Sequence, residues 1–231
     1  MAQIRYLTGA SNAACEAVAF ERNIGLMIQP GSSYHGRLSR YPFWAADNGA
    51  FTKQAAGFSA ERFRTMLNRP ELQEHAAHCL FVVAPDCLRV LPDGAVKGDA
   101  LGTLQQFPAW AAEIRALGLP VALVAQNGLE DLLDQVPWDL LDVLFIGGDT
   151  AWKLSHAAER CAAEARARGK RTHMGRVNSF ERLARASAML VDTADGTFLR
   201  FGPDTNLPRL SRWFEKLGCG VQVGLFTGNK S

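Results

Sequence analysis

Short apolar runs that close on Gly, Asp, Asn or Gln alternate along the chain with longer stretches rich in Ala, Leu and Arg. Eight runs read as strands: Ile4–Leu7, Gly25–Gln29, Phe43–Ala46, Leu80–Ala84, Val121–Ala125, Val143–Gly147, Thr172–Gly175 and Met189–Asp192. The stretches between them read as helices. Asn12–Arg22 is capped by Ser11 or Asn12, and Ala60–Leu67 follows Ser59, both natural N-cap residues. Gly102–Leu117 carries Leu104, Phe107, Trp110, Ala111, Ile114 and Leu117 at helical spacing and stops at Gly118. Leu129–Gln135, Ala151–Arg168 (ending at Gly169), Phe180–Ser187 and Leu207–Leu217 complete the set.

Continuous apolar strands separated by helices predict parallel strands covered on both faces. Eight such units predict an α/β fold of the (βα)8 TIM-barrel type, one domain over residues 1–231, with an open doubly wound sheet as the alternative. No GxGxxG follows the first strand, where the chain reads Leu7-Thr8-Gly9-Ala10-Ser11, which disfavours a dinucleotide site. The irregular stretches Pro30–Tyr41 and Asp86–Gly98 follow strands and are candidates for lids over the mouth.

Bulk composition changes this picture little. With 231 residues, 48% hydrophobic and 21% charged, the chain is long and apolar enough for a packed core. A net charge of +2 speaks against bulk polyanion binding but leaves room for a local Arg-lined groove. The five cysteines, Cys15, Cys79, Cys87, Cys161 and Cys219, form no CxxC pair, so neither a disulfide framework nor a zinc knuckle is expected, and a reducing, cytoplasmic compartment is. No signal peptide is read at the N-terminus, and no apolar run approaches the roughly 18 residues of a membrane span.

In a barrel the chemistry sits at the C-terminal strand ends. Those ends carry Asp47-Asn48-Gly49, Pro85-Asp86-Cys87, Gln126-Asn127-Gly128, Gly147-Gly148-Asp149, His173-Met174-Gly175-Arg176 and Asp192-Thr193-Ala194-Asp195. Any one of these residues is more simply a turn or cap residue. Together they predict a polar ring in which neighbouring carboxylates raise at least one pKa. Metal-assisted chemistry would want more histidine than His173; no metal or other cofactor is expected. Glycosyl transfer uses a carboxylate nucleophile and a second carboxyl group for the proton.

In order, these segments resemble the tRNA-guanine transglycosylases, and more closely their small phage and bacterial relatives that insert 7-deazaguanines into DNA. Asp47-Asn48-Gly49-Ala50-Phe51 is similar to that family's Asp-Ser-Gly-Gly-Phe, and Pro85-Asp86 to its base-recognising aspartate segment. Val124-Ala125-Gln126-Asn127-Gly128 is similar to its Val-Gln-Gly-Gly, Ile146-Gly147-Gly148 to its Ile-Gly-Gly, and His173-Met174-Gly175 to its His-Leu-Gly. Val191-Asp192-Thr193 is similar to the segment that carries its nucleophile. The resemblance covers about Gly25 to Gly202.

It implies that Asp192 attacks C1′ of a guanosine nucleotide and expels guanine, with Asp195 as the alternative nucleophile. It further implies that Asp47 is the general acid/base and that Asp86, Gln126, Gly147 and Gly148 hold the base edge. His173, Gly175 and Asp195 complete the substrate-binding rim. The implied partners are DNA rather than tRNA and an incoming 7-deazaguanine such as preQ0, with guanine as the leaving group; a homodimer is a separate expectation that the resemblance does not supply. Arg37, Arg40, Lys97, Arg176 and Arg200, all beyond strand ends, are the candidate phosphate contacts, and Trp44 is the candidate for stacking a base. The family's Cys-rich zinc site is missing, and Asn48-Gly49-Ala50 departs from its Ser-Gly-Gly. The rival readings are the same exchange on tRNA, a non-catalytic nucleic-acid-binding barrel, and a metal-dependent hydrolase.

Overall fold

The computed structural model describes residues 4–9, 12–50 and 58–218. Eight parallel strands close a barrel: β1 (Arg5–Thr8), β2 (Ile24–Ile28), β3 (Trp44–Ala46), β4 (Cys79–Val83), β7 (Val121–Ala125), β8 (Val143–Ile146), β9 (Arg171–Met174) and β10 (Thr193–Gly196). Two further strands, β5 (Leu88–Val90) and β6 (Val96–Gly98), form a separate antiparallel hairpin. Around the barrel, β1 meets β10 on one side and β2 on the other, and β4 pairs directly with β7. The predicted TIM-type barrel is the observed fold, and the open sheet is not.

Side chains alternate between the two faces of each strand, which creates two apolar layers. Leu7, Met27, Ala45, Phe81, Val83 and Val124 fill the barrel interior. The larger cluster, with Leu26, Val82, Phe107, Ile114, Leu144 and Leu183, packs strands against the surrounding helices. Every residue of β2, β4 and β7 is buried, which is why these strands read as unbroken apolar runs. Gly25 is required by the interior packing: a Cβ there would lie 2.2 Å from the Phe43 ring.

The helices are α1 (Ala13–Val18), α2 (Ala60–Leu67), α3 (Pro70–Glu74), α4 (Ala100–Ala116), α5 (Thr150–Lys153), α6 (His156–Ala167), α7 (Phe180–Ala188) and α8 (Pro203–Lys216). Six of these starts carry a side-chain N-cap, while α3 and α8 open on a proline instead. Asn12 accepts from the Cys15 N–H, Ser59 from Arg62, Asp99 from Gly102 and Ser179 from Arg182. The single helix expected over Ala151–Arg168 is two, because Asp149 caps α5 and Ser155 then caps a new start. The expected helix Leu129–Gln135 is a pair of 3₁₀ turns, Leu129–Asp131 and Leu133–Gln135.

The eighth strand lies later in the sequence than the pattern suggested. Met189 is the C-cap of α7, Leu190 turns with φ +57°, and pairing begins only at Thr193. Asp86–Gly98, read as irregular, carries the hairpin, with Arg89 opposite Lys97 and Val90 opposite Val96. Pro30–Tyr41 is packed rather than loose: Tyr34, Leu38 and Tyr41 are buried, and Arg37 and Arg40 both pair with Glu16 on α1. Among the described residues, no helix is long and apolar enough to cross a membrane.

Candidate active site at the C-terminal mouth of the barrel

Asp47 follows β3, and its backbone N–H donates to Ile28 O at 2.7 Å, which extends the sheet by one residue. The next residue, Asn48, turns inward. Its amide donates to Ala84 O (3.0 Å) and to Asp86 Oδ1 (2.9 Å), while its oxygen accepts from Ala50 N–H (2.7 Å). Gln126, just past β7, donates from Nε2 to the other oxygen of Asp86. Both Asp86 oxygens are therefore held by amide donors, the arrangement a partly buried carboxylate needs.

Asp195 lies within β10, opposite Leu7 of β1. Its Oδ1 faces His173 Nε2 at 3.0 Å and accepts the Arg176 backbone N–H at 3.2 Å. His173 itself is fully buried in β9, with Nδ1 2.8 Å from Thr193 Oγ1 and its ring against Phe145 and Phe81, at 4.6 and 4.9 Å between centroids. With the ring proton on Nε2 facing the carboxylate, Nδ1 accepts from the Thr193 hydroxyl. His173 is thus enclosed beneath Asp195 and orients it.

Asp47, Asp86 and Asp195 line one cavity of about 230 Å³, floored by Met27, Val83, Val124 and Phe145 and reached by Arg176. The Asp47 carboxyl is pushed up to about 7 by burial first, then by the charges of Asp195 and Asp86; the N–H groups of Gly49 and Asn48 offset only part of this. Asp86 is also raised by burial, against the pull of its two amide donors and Arg176. A second chamber of about 300 Å³ shares Gly147 and Arg176 with the first and adds Lys97, Gln126, Asn127 and Asp149. A third, of about 320 Å³, shares Met27 and Gln29 and extends past Ser32 and Tyr34 to Arg200.

The mouth therefore brings together Asp47, Asp86, Gln126, Gly147, Gly175, Arg176 and Asp195 of the predicted residues. Gly147 and Gly175 present backbone only, since a Cβ on either would collide with Val124 or Phe145. Gly148 and Lys97 belong to the neighbouring chamber and Arg200 to the third. Asp192 is not among them. It precedes β10, so it lies at the N-terminal end of the barrel, where one carboxylate oxygen accepts from the Thr172 N–H (2.7 Å) and hydroxyl (3.1 Å). His173 supports the site from inside the core.

Other expectations change for equally local reasons. Arg37 and Arg40 are committed to Glu16, which leaves them poor phosphate contacts. Trp44 is 1% exposed and donates its indole N–H to His75 O; it packs β3 and is closed to an incoming base. Asp149 is engaged by Asn127 and by the α5 N-terminus. Among the described residues, no three His, Cys, Asp or Glu side chains are grouped to hold a metal ion. Sequence reasoning missed Lys153, a lysine 2% exposed whose Nζ donates to Gly175 O at 2.7 Å.

No protein-family model matches the chain, and no curated protein does. Solved structures share its fold. An oxaloacetate acetylhydrolase, solved with its product oxalate, aligns over 93% of this chain and 82% of its own, with TM-score 0.51 and 13% identity. A putative lyase/mutase from Burkholderia cenocepacia J2315 aligns over 99% and 89%, with TM-score 0.51 and 15% identity. An enolase protein from Sargasso Sea environmental sequencing aligns over 84% of this chain but 54% of its own, at TM-score 0.47 and 12% identity, so the chain spans about half its length.

The transglycosylase resemblance does not hold against these findings. No family model supports it, and the two fold neighbours that align at TM-score 0.51 are named as an oxaloacetate acetylhydrolase and a putative lyase/mutase. Asp192, which had to attack the sugar, faces the opposite end of the barrel from Asp47. Guanine exchange in DNA or tRNA, the 7-deazaguanine substrate and the nucleic-acid-binding alternative fall with it.

Proposed function

We propose that the chain is an enzyme that moves a proton on a small, neutral or cationic substrate held in the carboxylate-lined mouth, with Asp47 as the general acid/base. The observation that carries this reading is the Asp47 carboxyl, held near 7 in a cavity wide enough for a small molecule. A group with that pKa is present in both forms at neutral pH, the condition for efficient general acid–base catalysis. Asp195, fixed by His173 and the Arg176 N–H, stabilises positive charge that develops beside it. Asp86, locked by Asn48 and Gln126, offers an oriented acceptor for a substrate N–H or O–H.

The fold neighbours named as an oxaloacetate acetylhydrolase and a putative lyase/mutase support an enzyme on this barrel. Their substrate class does not transfer. Oxalate is a dianion, and a lining of three aspartates, Asp47 being only partly ionised at neutral pH, against the one cationic side chain Arg176 in that lining disfavours a dianion. The test is solvent deuterium exchange. Neutral and cationic amino- and hydroxy-carbonyl compounds are incubated with the protein in D₂O and followed by mass spectrometry. Deuterium uptake that falls by about 10²–10⁴ in Asp47→Asn is the expected result. Uptake at the same rate in that variant refutes the assignment of Asp47.

A further inference from the structure

Behind the mouth lies a buried cation that this reading leaves without a role. Lys153 ends the four-residue helix α5, is 2% exposed, and donates from Nζ to Gly175 O at 2.7 Å. Burying an ammonium is costly, and an apolar side chain of similar length would avoid the cost. What the ammonium holds is the turn after β9. From that turn the Gly175 N–H donates to Ile146 O (3.2 Å), the Arg176 N–H to Asp195 Oδ1 (3.2 Å) and the Val177 N–H to Asp195 O (2.6 Å). The Arg176 guanidinium donates to Gly147 O and Gly148 O, both at 2.8 Å. Arg176 adopts φ +60°, a left-handed conformation that a side chain with a Cβ disfavours. Such a residue keeps that conformation only where its surroundings over-determine it.

We propose that Lys153 is a positioning residue, whose ammonium pins Gly175 O and thereby fixes the Gly175–Val177 turn that orients Asp195 and Arg176 in the mouth. The proposal deepens the proton-transfer reading and takes its functional meaning from it. The charged groups around Lys153 are Arg176 and Arg182, which oppose its charge, and Asp195 and Asp149, which favour it. Burial, ahead of all of these, brings the ammonium down to about 7. The clamp is therefore a charge-assisted bond below neutral pH and a weaker amine–carbonyl bond above it.

The experiment is amide hydrogen exchange on the whole, substrate-free chain, read at Arg176 and Val177 and corrected for intrinsic exchange. In the unsubstituted protein, protection at these two amides falls as pH rises from about 6 to about 8.5, a window set by the ammonium-to-amine change. The same fall persists in Asp47→Asn, which removes the Asp47 carboxyl that also titrates near 7. In Lys153→Met, protection there drops about tenfold, the loss expected for one charge-assisted hydrogen bond, and no longer depends on pH. Amides in β4 and β7 keep their protection. Unchanged protection in Lys153→Met, or an even loss across the barrel, makes Lys153 a packing residue and overturns the proposal. If Lys153→Met does not fold, a flat pH response of Arg176 and Val177 in the Asp47→Asn protein overturns it equally. No substrate enters the measurement, so its outcome stands apart from that of the deuterium-exchange test.

Discussion

Asp47→Asn gives the sharpest thermodynamic expectation. In the folded chain the carboxyl titrates at about 7, against 3.8 for the free group. Its folded pKa is raised, so folding binds a proton between those two values. The stabilisation relative to the ionised state is fully present below about 4 and is lost as pH rises through 7. A shift of about three units corresponds to about 4 kcal/mol in total, of which about 3 kcal/mol falls between pH 4.5 and pH 8. The neutral asparagine has no such dependence. Urea denaturation of both proteins across that range should show the variant gaining about 3 kcal/mol on the parent as pH rises. Taking the change with pH, rather than the value at one pH, cancels any fixed cost of fitting an amide into the site. Lys153 titrates in both proteins and drops out of the difference. A difference that stays flat within about 1 kcal/mol from pH 4.5 to 8 refutes the view that burial and the neighbouring aspartates hold Asp47 protonated.

Two further expectations separate packing from chemistry. Asp192→Asn weakens the bonds from Thr172 at the N-terminal end and should cost about 1–2 kcal/mol in denaturation, while leaving the deuterium-exchange rate of any accepted substrate unchanged. Gly25→Ala places a methyl 2.2 Å from the Phe43 ring and should lower stability by about 1–3 kcal/mol through overpacking, measured by thermal or urea unfolding.

The barrel was legible because β2, β4 and β7 are buried on both faces and therefore appear as continuous apolar runs. Strand-end positions such as Asp47, Asp86 and Gln126 were found by the same logic. The eighth strand was not, because its residues Thr193-Ala194-Asp195-Gly196 carry two polar side chains among four, and its apolar face is a single alanine. The more hydrophobic Met189-Leu190-Val191 belongs to the helix end and the turn before the strand. That slip moved attention from Asp195 at the mouth to Asp192 at the opposite rim. Arg37 and Arg40 looked available because their partner Glu16 lies more than twenty residues away, and only the packing of Pro30–Tyr41 against α1 joins them. Lys153 reads as an ordinary lysine of an amphipathic stretch. Its burial follows from the break between α5 and α6 and the approach of the β9 turn, neither of which is a local property of the sequence.

The most direct test is a ¹³C-carboxyl NMR titration of Asp47 in the intact chain and in Asp195→Asn. A midpoint near 7 that moves down once the Asp195 charge is removed is the predicted result. A midpoint in the ordinary aspartate range of about 4, unmoved by that substitution, contradicts the proposal that Asp47 exchanges protons at neutral pH.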